Sequence, residues 1–144
     1  MAEEGSGSIE IRASPERIMG AITDIEAYPS WMSPFKKALV LERDEQGRPA
    51  KAEFAVDARL SVLNYTLAYR YLDDGIAWDS VAGDVKQIAG SYSLEGREAS
   101  TNVTYSYLID PGFPVPGFIM RKAVKALVSA ALEDLKKRVE SPEG

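Results

Sequence analysis

The strongest constraint on the fold is a run of six strand patterns that is followed by one long amphipathic helix. Apolar and polar side chains alternate in each of the six segments, and turn-forming residues separate neighbouring segments. The segments span residues 37–44, 50–58, 64–71, 76–82, 87–95 and 101–110. This spacing is typical of an antiparallel meander rather than of alternating strands and helices. The helix, at residues 118–139, is the only element long enough to cover one face of such a sheet.

The segment before the meander predicts one strand and two short helices. Residues 8–13 alternate apolar and polar, as a half-buried strand does. The Ser-Pro-Glu sequence at 14–16 combines a hydroxyl cap, a proline and an acidic residue, all of which favour a helix start. Asp24 is expected to cap a second short helix, which Pro29 would end near Tyr28.

Together these elements predict an α+β fold, in which a curved antiparallel sheet of about seven strands wraps around the long C-terminal helix. The single domain is expected to span residues 8–140, between flexible tails at 1–7 and 141–144. An apolar stripe on the long helix recurs at steps of three and four residues and would face the sheet. The stripe consists of Met120, Val124, Leu127, Ala131 and Leu135.

Along the predicted strands, every second residue belongs to one set, or parity, that is aromatic and apolar. The residues between them form the other parity, which is polar. This difference predicts a sheet with one face on the core and one face in water. The inner set consists of Phe54, Val56, Tyr65, Leu67, Tyr69, Tyr71, Ile76, Trp78, Ile88, Tyr92, Leu94, Val103, Tyr105, Tyr107 and Ile109. Charged strand residues have outward parity, which favours surface pairs over a catalytic cluster. They are Glu53, Asp57, Arg59, Arg70 and Asp79.

Six of the seven tyrosines fall on the predicted inner face. A core built only for packing would more cheaply use Phe, Leu or Val, because a buried hydroxyl needs a partner. The tyrosines therefore indicate a mostly apolar cavity that carries hydroxyl groups. The alternative is that they stand near the sheet edges with their hydroxyls in water, since strands favour tyrosine in any case.

The chain contains no histidine and no cysteine. Their absence excludes histidine-based triads and general bases, thiolate nucleophiles, disulfides and the common zinc sites. We assign no catalytic residue and no metal ligand, and we predict no cofactor. Any catalysis would have to rely on carboxylates, amines, guanidinium groups, phenols or a bound cofactor.

The balance of 17 basic and 22 acidic residues argues against nucleic acid as a partner. The N-terminus lacks a signal-peptide pattern and no apolar run reaches the ~20 residues of a membrane span, which predicts a cytoplasmic protein.

Arg121, Lys122 and Lys125 lie in the first two turns of the long helix, where the helix dipole disfavours cations. They indicate either attraction of an anionic ligand group or transient contact with an acidic membrane surface, or simply a solvated face.

Several segments resemble a known superfamily. Residues 24–31 (DIEAYPSW) resemble the D-x-E-x-Y-P-x-W segment of the START-like (SRPBCC) superfamily, and 14–16 is similar to its usual S-P-E helix start. Residues 78–80, 90–92 and 111–117 resemble its polyketide cyclase/dehydrase-like branch, which is related to coenzyme Q-binding-like proteins. The resemblance spans about residues 8–140 and implies the helix-grip fold.

The resemblance also implies a deep cavity between the sheet and the C-terminal helix. Its mouth would be gated by the loop near Trp31 and by the proline-rich loop at 111–117. Trp31 would either line this mouth or anchor its helix to the core. The candidate ligand-binding residues are Trp31, Phe54, Val56, Tyr65, Leu67, Tyr69, Trp78, Tyr92, Tyr105, Tyr107, Met120, Val124 and Leu127.

We therefore expect binding or transport of a hydrophobic small molecule, such as a lipid, an isoprenoid or a polyketide-like compound. The first alternative is a cofactor-free polyketide cyclase or dehydratase that acts mainly by holding a flexible chain in a reactive conformer. The second is a protein-interaction module, which would expose an apolar patch away from the mouth. The sequence is compatible with a monomer or a homodimer.

Overall fold

The computed structural model describes residues 2–58 and 61–141. Seven antiparallel strands form one curved sheet in the order β1-β7-β6-β5-β4-β3-β2, and the C-terminal helix lies across its inner face. The strands are β1 (Glu3–Ile11), β2 (Phe35–Arg43), β3 (Pro49–Asp57), β4 (Val62–Leu72), β5 (Gly75–Gly83), β6 (Gln87–Gly96) and β7 (Thr101–Asp110). The predicted α+β helix-grip architecture is confirmed.

The helices lie on either side of the meander in the sequence. They are α1 (Pro15–Thr23), α2 (Tyr28–Trp31), α3 (Gly117–Ser129) and α4 (Leu135–Glu140), with a 3-10 turn at Ile25–Ala27. A π-helical segment, Ala130–Asp134, joins α3 to α4, so that residues 117–140 form one long helix. Some of the sequence predictions lie outside the described residues. They concern Met1 and residues 142–144, which belong to the predicted tails, and Arg59, which was predicted to point outward.

The first strand begins at Glu3, five residues before the predicted start at Ser8. Residues 3–7 were expected in a tail because glycine and short polar residues have little β propensity. Their structure comes from pairing with β7, where Gly5 lies opposite Tyr107. A Cβ atom on Gly5 would lie 2.7 Å from the Tyr107 hydroxyl, so glycine lets that ring lie across β1.

The entry to α1 is as predicted, but the end of α2 is not. The Ser14 hydroxyl accepts a hydrogen bond from the Arg17 backbone N–H at 3.2 Å, and Pro15 opens the helix. Pro29 lies in the first turn of α2 rather than ending a helix, because a proline at that point sacrifices no intrahelical hydrogen bond. The Asp24 side chain makes no capping hydrogen bond to the 3-10 turn that follows it.

The core lies between the inner face of the sheet and the long helix. The inner residues predicted from strand parity are buried or half-buried there, and Phe54, Ile76 and Val103 are almost completely enclosed. The opposite face carries ion pairs in water, such as that between Arg70 and Asp79. The parity assignment therefore holds for the described strands, and it directs the tyrosines inward.

Candidate functional site

Two adjoining chambers lie between the sheet and the long helix. The outer chamber has a volume of about 100 Å³ and the inner chamber about 60 Å³. Tyr65, Ile88 and Leu127 line both of them, so these side chains mark the passage from one to the other. Both chambers are smaller than the roughly 300–1,000 Å³ of most small-molecule sites. They are nevertheless large enough to hold more than a single water molecule.

The outer chamber is built at the mouth, where the proline-rich loop, the β3–β4 connection and the start of α3 meet. Its walls are almost entirely apolar and include Pro34, Val56, Phe113, Met120 and Leu127. The loop is fixed to the β5–β6 turn, since the Lys86 backbone N–H donates to the Pro111 carbonyl at 3.2 Å. An Asp110 carboxylate oxygen accepts from the Gly112 N–H at 3.0 Å, as the turn chemistry predicts.

The inner chamber is enclosed by aromatic side chains from the central strands. Trp78 lies at its centre, with ring centroids of Tyr69, Tyr92 and Tyr105 between 5.6 and 6.1 Å away. Phe54 and Tyr28 close the side nearest β2 and α2. Strand alternation directs all the strand residues among these to the same face of the sheet.

Most of the predicted ligand-binding residues line a chamber. Five line the outer one: Val56, Tyr65, Met120, Val124 and Leu127. Eight line the inner one: Phe54, Tyr65, Leu67, Tyr69, Trp78, Tyr92, Tyr105 and Leu127.

Trp31 and Tyr107 line neither chamber. The Trp31 ring packs edge-on against Tyr28, with centroids 5.6 Å apart, which corresponds to the alternative of a packing anchor. The neighbouring residue Met32 is the one that reaches the inner chamber. Tyr107 lines an open groove between β1 and α3, because Gly5 leaves room for its ring there.

Sequence reasoning missed several lining residues outside the aromatic pattern. Ile22 and Met32 reach the inner chamber from the helices, and Ala58 and Ser61 reach the outer one from the β3–β4 connection. The apolar face of α1 signals Ile22. No periodicity extends into a connection, so the sequence carries no signal for Ala58 or Ser61.

Burial controls the chemistry of the tyrosines. The pKa values of Tyr28, Tyr65, Tyr69, Tyr92 and Tyr105 are raised above the usual 10.0 chiefly because burial disfavours the phenolate. These hydroxyls therefore keep their protons at neutral pH and serve as hydrogen-bond donors. The Tyr92 hydroxyl donates to the Ala131 carbonyl at 2.9 Å, within the π-helical segment.

Charged groups are placed mainly outside the chambers. Among the described lining residues the inner chamber has no charged side chain, and the outer chamber has only Asp57, at its exposed rim. Glu53 pairs with Lys37 on the outer face of the sheet at 3.2 Å. The outward parity therefore holds for Glu53, Arg70 and Asp79, whereas Asp57, at the end of β3, lines the rim of the outer chamber.

The three cations of the long helix lie on its exposed side. Arg121, Lys122 and Lys125 are exposed, next to Phe118, whose side chain is 59% exposed. None of the three lines either chamber, so they are not placed to bind a ligand group inside. Contact with an acidic membrane surface stays a prediction. Within residues 2–58 and 61–141, no helix is long and apolar enough to cross a bilayer.

A sequence model of one protein family matches residues 11–136. The family is described as polyketide cyclase / dehydrase and lipid transport. The chain belongs to this family. The resemblance drawn from the D-x-E-x-Y-P-x-W segment is thereby confirmed, and the family's description covers both cyclases and lipid transport. A comparison with curated protein sequences finds no significant match.

Solved structures with the same fold cover nearly the whole chain. A START superfamily protein from Mycobacterium smegmatis is 26% identical, with a TM-score of 0.84 over 95% of this chain and 97% of that one. The Zhui aromatase/cyclase from Streptomyces sp. R1128 is 14% identical, with a TM-score of 0.76 over 100% and 99%. A STAR-related lipid transfer protein from Xanthomonas axonopodis is 18% identical, with a TM-score of 0.74 over 96% and 86%.

Gly90 is required for the inner chamber to keep its shape. It lies opposite Trp78 on the neighbouring strand, and a Cβ atom there would come within 2.7 Å of three indole atoms. We expect Gly90→Ala to push the rigid indole toward the chamber and to lower the free energy of unfolding by about 1–3 kcal/mol, as overpacking does. Urea unfolding measures this change.

Gly20 provides the matched control. It lies within α1, and nothing stands within 4 Å of an added Cβ atom. Gly20→Ala is expected to raise the free energy of unfolding by about 0.5–1 kcal/mol, because alanine favours the helix. A Gly90→Ala protein as stable as the parent would contradict the close contact between Gly90 and Trp78.

Proposed function

We propose that this protein binds a hydrophobic small molecule in the two chambers between the sheet and the long helix. The observation that carries the proposal is an interior lined by apolar and aromatic side chains that a packed core would have filled. Among the described residues, charge enters this space only at the rim, at Asp57. Such a site is suited to holding, carrying or presenting an apolar compound rather than a charged metabolite.

Buried apolar area would provide most of the affinity. Removing apolar surface from water contributes roughly 25 cal/mol per Å², so even a ligand of one or two rings gains several kcal/mol before its entropy loss is counted. The volumes set the size of ligand that enters without rearrangement. An engineered apolar cavity of about 150 Å³ takes up benzene, and these two chambers together are of similar size.

A longer ligand requires the mouth to open. The side chains that would have to move are Phe113 and Met120, which lie where the proline-rich loop meets α3. Phe113 is already 40% exposed, so little packing is lost when it swings outward. Transport of a lipid or an isoprenoid would use this route.

Catalysis is less well supported by the same geometry. A cofactor-free cyclase or dehydratase would need a group that gives or takes a proton near neutral pH. The tyrosines that line the inner chamber have pKa values raised further from neutrality by burial. Among the described residues of that chamber, no carboxylate, amine or guanidinium offers an alternative. The Zhui aromatase/cyclase shares only the fold with this chain, at 14% identity.

A protein-interaction surface also finds little support. Leu39 and Val81 are exposed on the outer sheet face, but they do not form one patch. Glu53 lies opposite Leu39, and Thr66 lies opposite both Glu53 and Ala82, the neighbour of Val81, so polar side chains interrupt the apolar ones. Apolar residues scattered in this way are common on soluble proteins.

The test of the proposed function is to fill the passage between the chambers. Leu127 lines both, and Leu127→Trp places a larger ring in the shared space. We expect the affinity for naphthalene, measured by isothermal titration calorimetry, to fall at least about tenfold, which is 1.4 kcal/mol of binding free energy.

Leu39→Trp is the control, because Leu39 is exposed on the outer sheet face and leaves the chambers unchanged. Its affinity for naphthalene should equal that of the parent. Thermal unfolding of Leu127→Trp shows whether the variant is folded. If a folded Leu127→Trp protein binds naphthalene as tightly as the parent, the chambers are not the binding site.

A further inference from the structure

We propose that the chambers select a neutral ligand that carries a hydroxyl or carbonyl oxygen, and that the hydroxyls of Tyr65, Tyr69 and Tyr105 recognise that oxygen. This inference rests on the proposed function, because it names the ligand class of the same site. It starts from the hydrogen-bond partners of the tyrosines. A tyrosine hydroxyl that is removed from water normally has a partner.

Within the described part of the chain, three of the seven tyrosine hydroxyls have a hydrogen-bond partner. The hydroxyls of Tyr28, Tyr71 and Tyr92 donate to the carbonyls of Ile22, Pro49 and Ala131 respectively. These bonds fix the positions of the three rings.

The hydroxyls of Tyr65, Tyr69 and Tyr105 are different. No group in the described part of the chain makes a hydrogen bond with any of them. No side-chain oxygen or nitrogen is both sealed from solvent and unpartnered within that part, so these three hydroxyls open into accessible space. All three side chains line the inner chamber, which is where the proposed ligand would lie.

Two of the three tyrosine rings lie beside the flat Trp78 ring, and the third lies at the passage between the chambers. Tyr69 and Tyr105 flank the Trp78 ring from two sides, with centroids 6.1 and 6.0 Å from it. Tyr65 lies at the passage to the outer chamber, on the same strand as Tyr69 and four residues before it. That spacing corresponds to about 13 Å along an extended strand. A planar apolar ligand on Trp78 therefore meets a donor at either end of the inner chamber.

The charge of the interior decides between neutral and anionic ligands. Burial raises the pKa of each of the three phenols, so they stay protonated and can donate to an oxygen. No cation is present among the described lining residues to balance a carboxylate or a phosphate. Burying an unpaired charge costs far more than burying a hydrogen-bonded neutral oxygen. A neutral alcohol, phenol or ketone fits this site, whereas a carboxylate does not.

The experiment compares three probes of nearly the same shape: naphthalene, naphthol and naphthoate. We expect calorimetry on the full chain to show naphthol binding about tenfold more tightly than naphthalene, and naphthoate binding more weakly than either. If none of the three binds, the proposed function fails. If naphthalene binds as tightly as naphthol, or if naphthoate binds as tightly as naphthol, the inference fails while the proposed function stands.

Tyrosine-to-phenylalanine variants show which hydroxyls cause the preference for naphthol. Tyr69→Phe and Tyr105→Phe remove a hydroxyl that has no hydrogen-bond partner among residues 2–58 and 61–141, so both are expected to keep the parent's thermal unfolding temperature. Each should lower the preference for naphthol, measured as the ratio of the naphthol and naphthalene affinities, at least about threefold. Tyr107→Phe is the matched control, because Tyr107 lines neither chamber, and its preference should equal that of the parent.

The variants also decide the outcome when the probes alone agree with the proposal. A preference for naphthol that persists in Tyr69→Phe, Tyr105→Phe and the double variant would overturn the assignment to these hydroxyls. The assignment would also be overturned if Tyr107→Phe lowered the preference for naphthol as much as Tyr69→Phe or Tyr105→Phe does.

Discussion

Raising the pH above about 10 is expected to unfold this protein in one steep, cooperative transition. Five tyrosines have pKa values raised above the usual 10.0, with burial as the largest cause: Tyr28, Tyr65, Tyr69, Tyr92 and Tyr105. The unfolded chain has no such burial, so there each phenol ionises near pH 10. Between pH 10 and the raised pKa values, the buried phenols of the folded state keep protons that the unfolded state releases.

The direction in which pH changes the free energy of unfolding follows from this difference in bound protons. Above pH 10 the unfolded state binds fewer protons, so the free energy of unfolding falls as the pH rises, whereas below pH 10 both states are protonated and these groups contribute no slope. Each tyrosine contributes up to about 1.4 kcal/mol per pH unit, and five together approach about 7 kcal/mol per pH unit. Since domains are stable by about 5–15 kcal/mol, one to two pH units above 10 should suffice for unfolding.

Tyrosinate absorbance and circular dichroism, recorded together between pH 9 and about 12, measure this transition. We expect tyrosinate absorbance to rise in the same step in which the secondary structure is lost. Tyr65→Phe is the control, because it removes one buried phenol and should lower the number of protons released on unfolding by about one. Gradual ionisation of all the tyrosines in a protein that keeps its circular dichroism signal would contradict the burial described here.

Phe54→Ala is expected to lower the free energy of unfolding by about 3–5 kcal/mol, the largest effect among the single substitutions considered. Phe54 is only 1% exposed. Its ring lies within 5.4–6.1 Å of the rings of Phe35, Tyr65 and Tyr28, so it joins β2, β3, β4 and α2. Alanine leaves a void in the wall of the inner chamber, and the surrounding rings are too rigid to fill it.

Phe118→Ala is the matched control for this substitution. Phe118 is 59% exposed on α3, so truncating it removes little buried surface. Its unfolding free energy should stay within about 0.5 kcal/mol of the parent in urea denaturation. An effect of Phe54→Ala no larger than that of Phe118→Ala would show that the aromatic cluster does not hold the fold together.

Strand positions could be predicted closely from the sequence because alternation reports directly which face of a sheet is buried. β7 was predicted at both of its ends, and the inner parity of β4 and β5 identified the aromatic wall. β1 was predicted too short because glycine and serine in residues 3–7 carry no periodic signal. Its structure depends on hydrogen bonds to β7, a partner about 100 residues away in the chain.

The site was predictable only where it is built from strands. Tyr69, Trp78 and Tyr105 were found because strand periodicity directs them inward. Tyr107 has the same parity but lies on the strand next to the sheet edge, where a glycine on the edge strand lets its ring turn toward a surface groove. Parity gives the face of a sheet, and only the three-dimensional arrangement shows which part of that face the helix covers.

Hydrogen-bond partners could not be predicted from the sequence at all. The pattern shows that the tyrosines face inward, but not that Tyr92 reaches the Ala131 carbonyl. That bond depends on the π-helical segment, in which the C-terminal helix departs from regular α-helical hydrogen bonding. The distinction between partnered and unpartnered hydroxyls, on which the ligand class rests, is a property of the folded chain.

The most direct test of the binding site is an isotope-filtered NMR experiment on the methyl-labelled protein with naphthol bound. Ile88 and Leu127 line both chambers, whereas Leu39 and Val81 are exposed on the outer face of the sheet. We predict nuclear Overhauser effects between the ring protons of naphthol and the methyl groups of Ile88 and Leu127. Saturable binding with Overhauser effects only to Leu39 or Val81 would contradict a ligand site between the sheet and the helix.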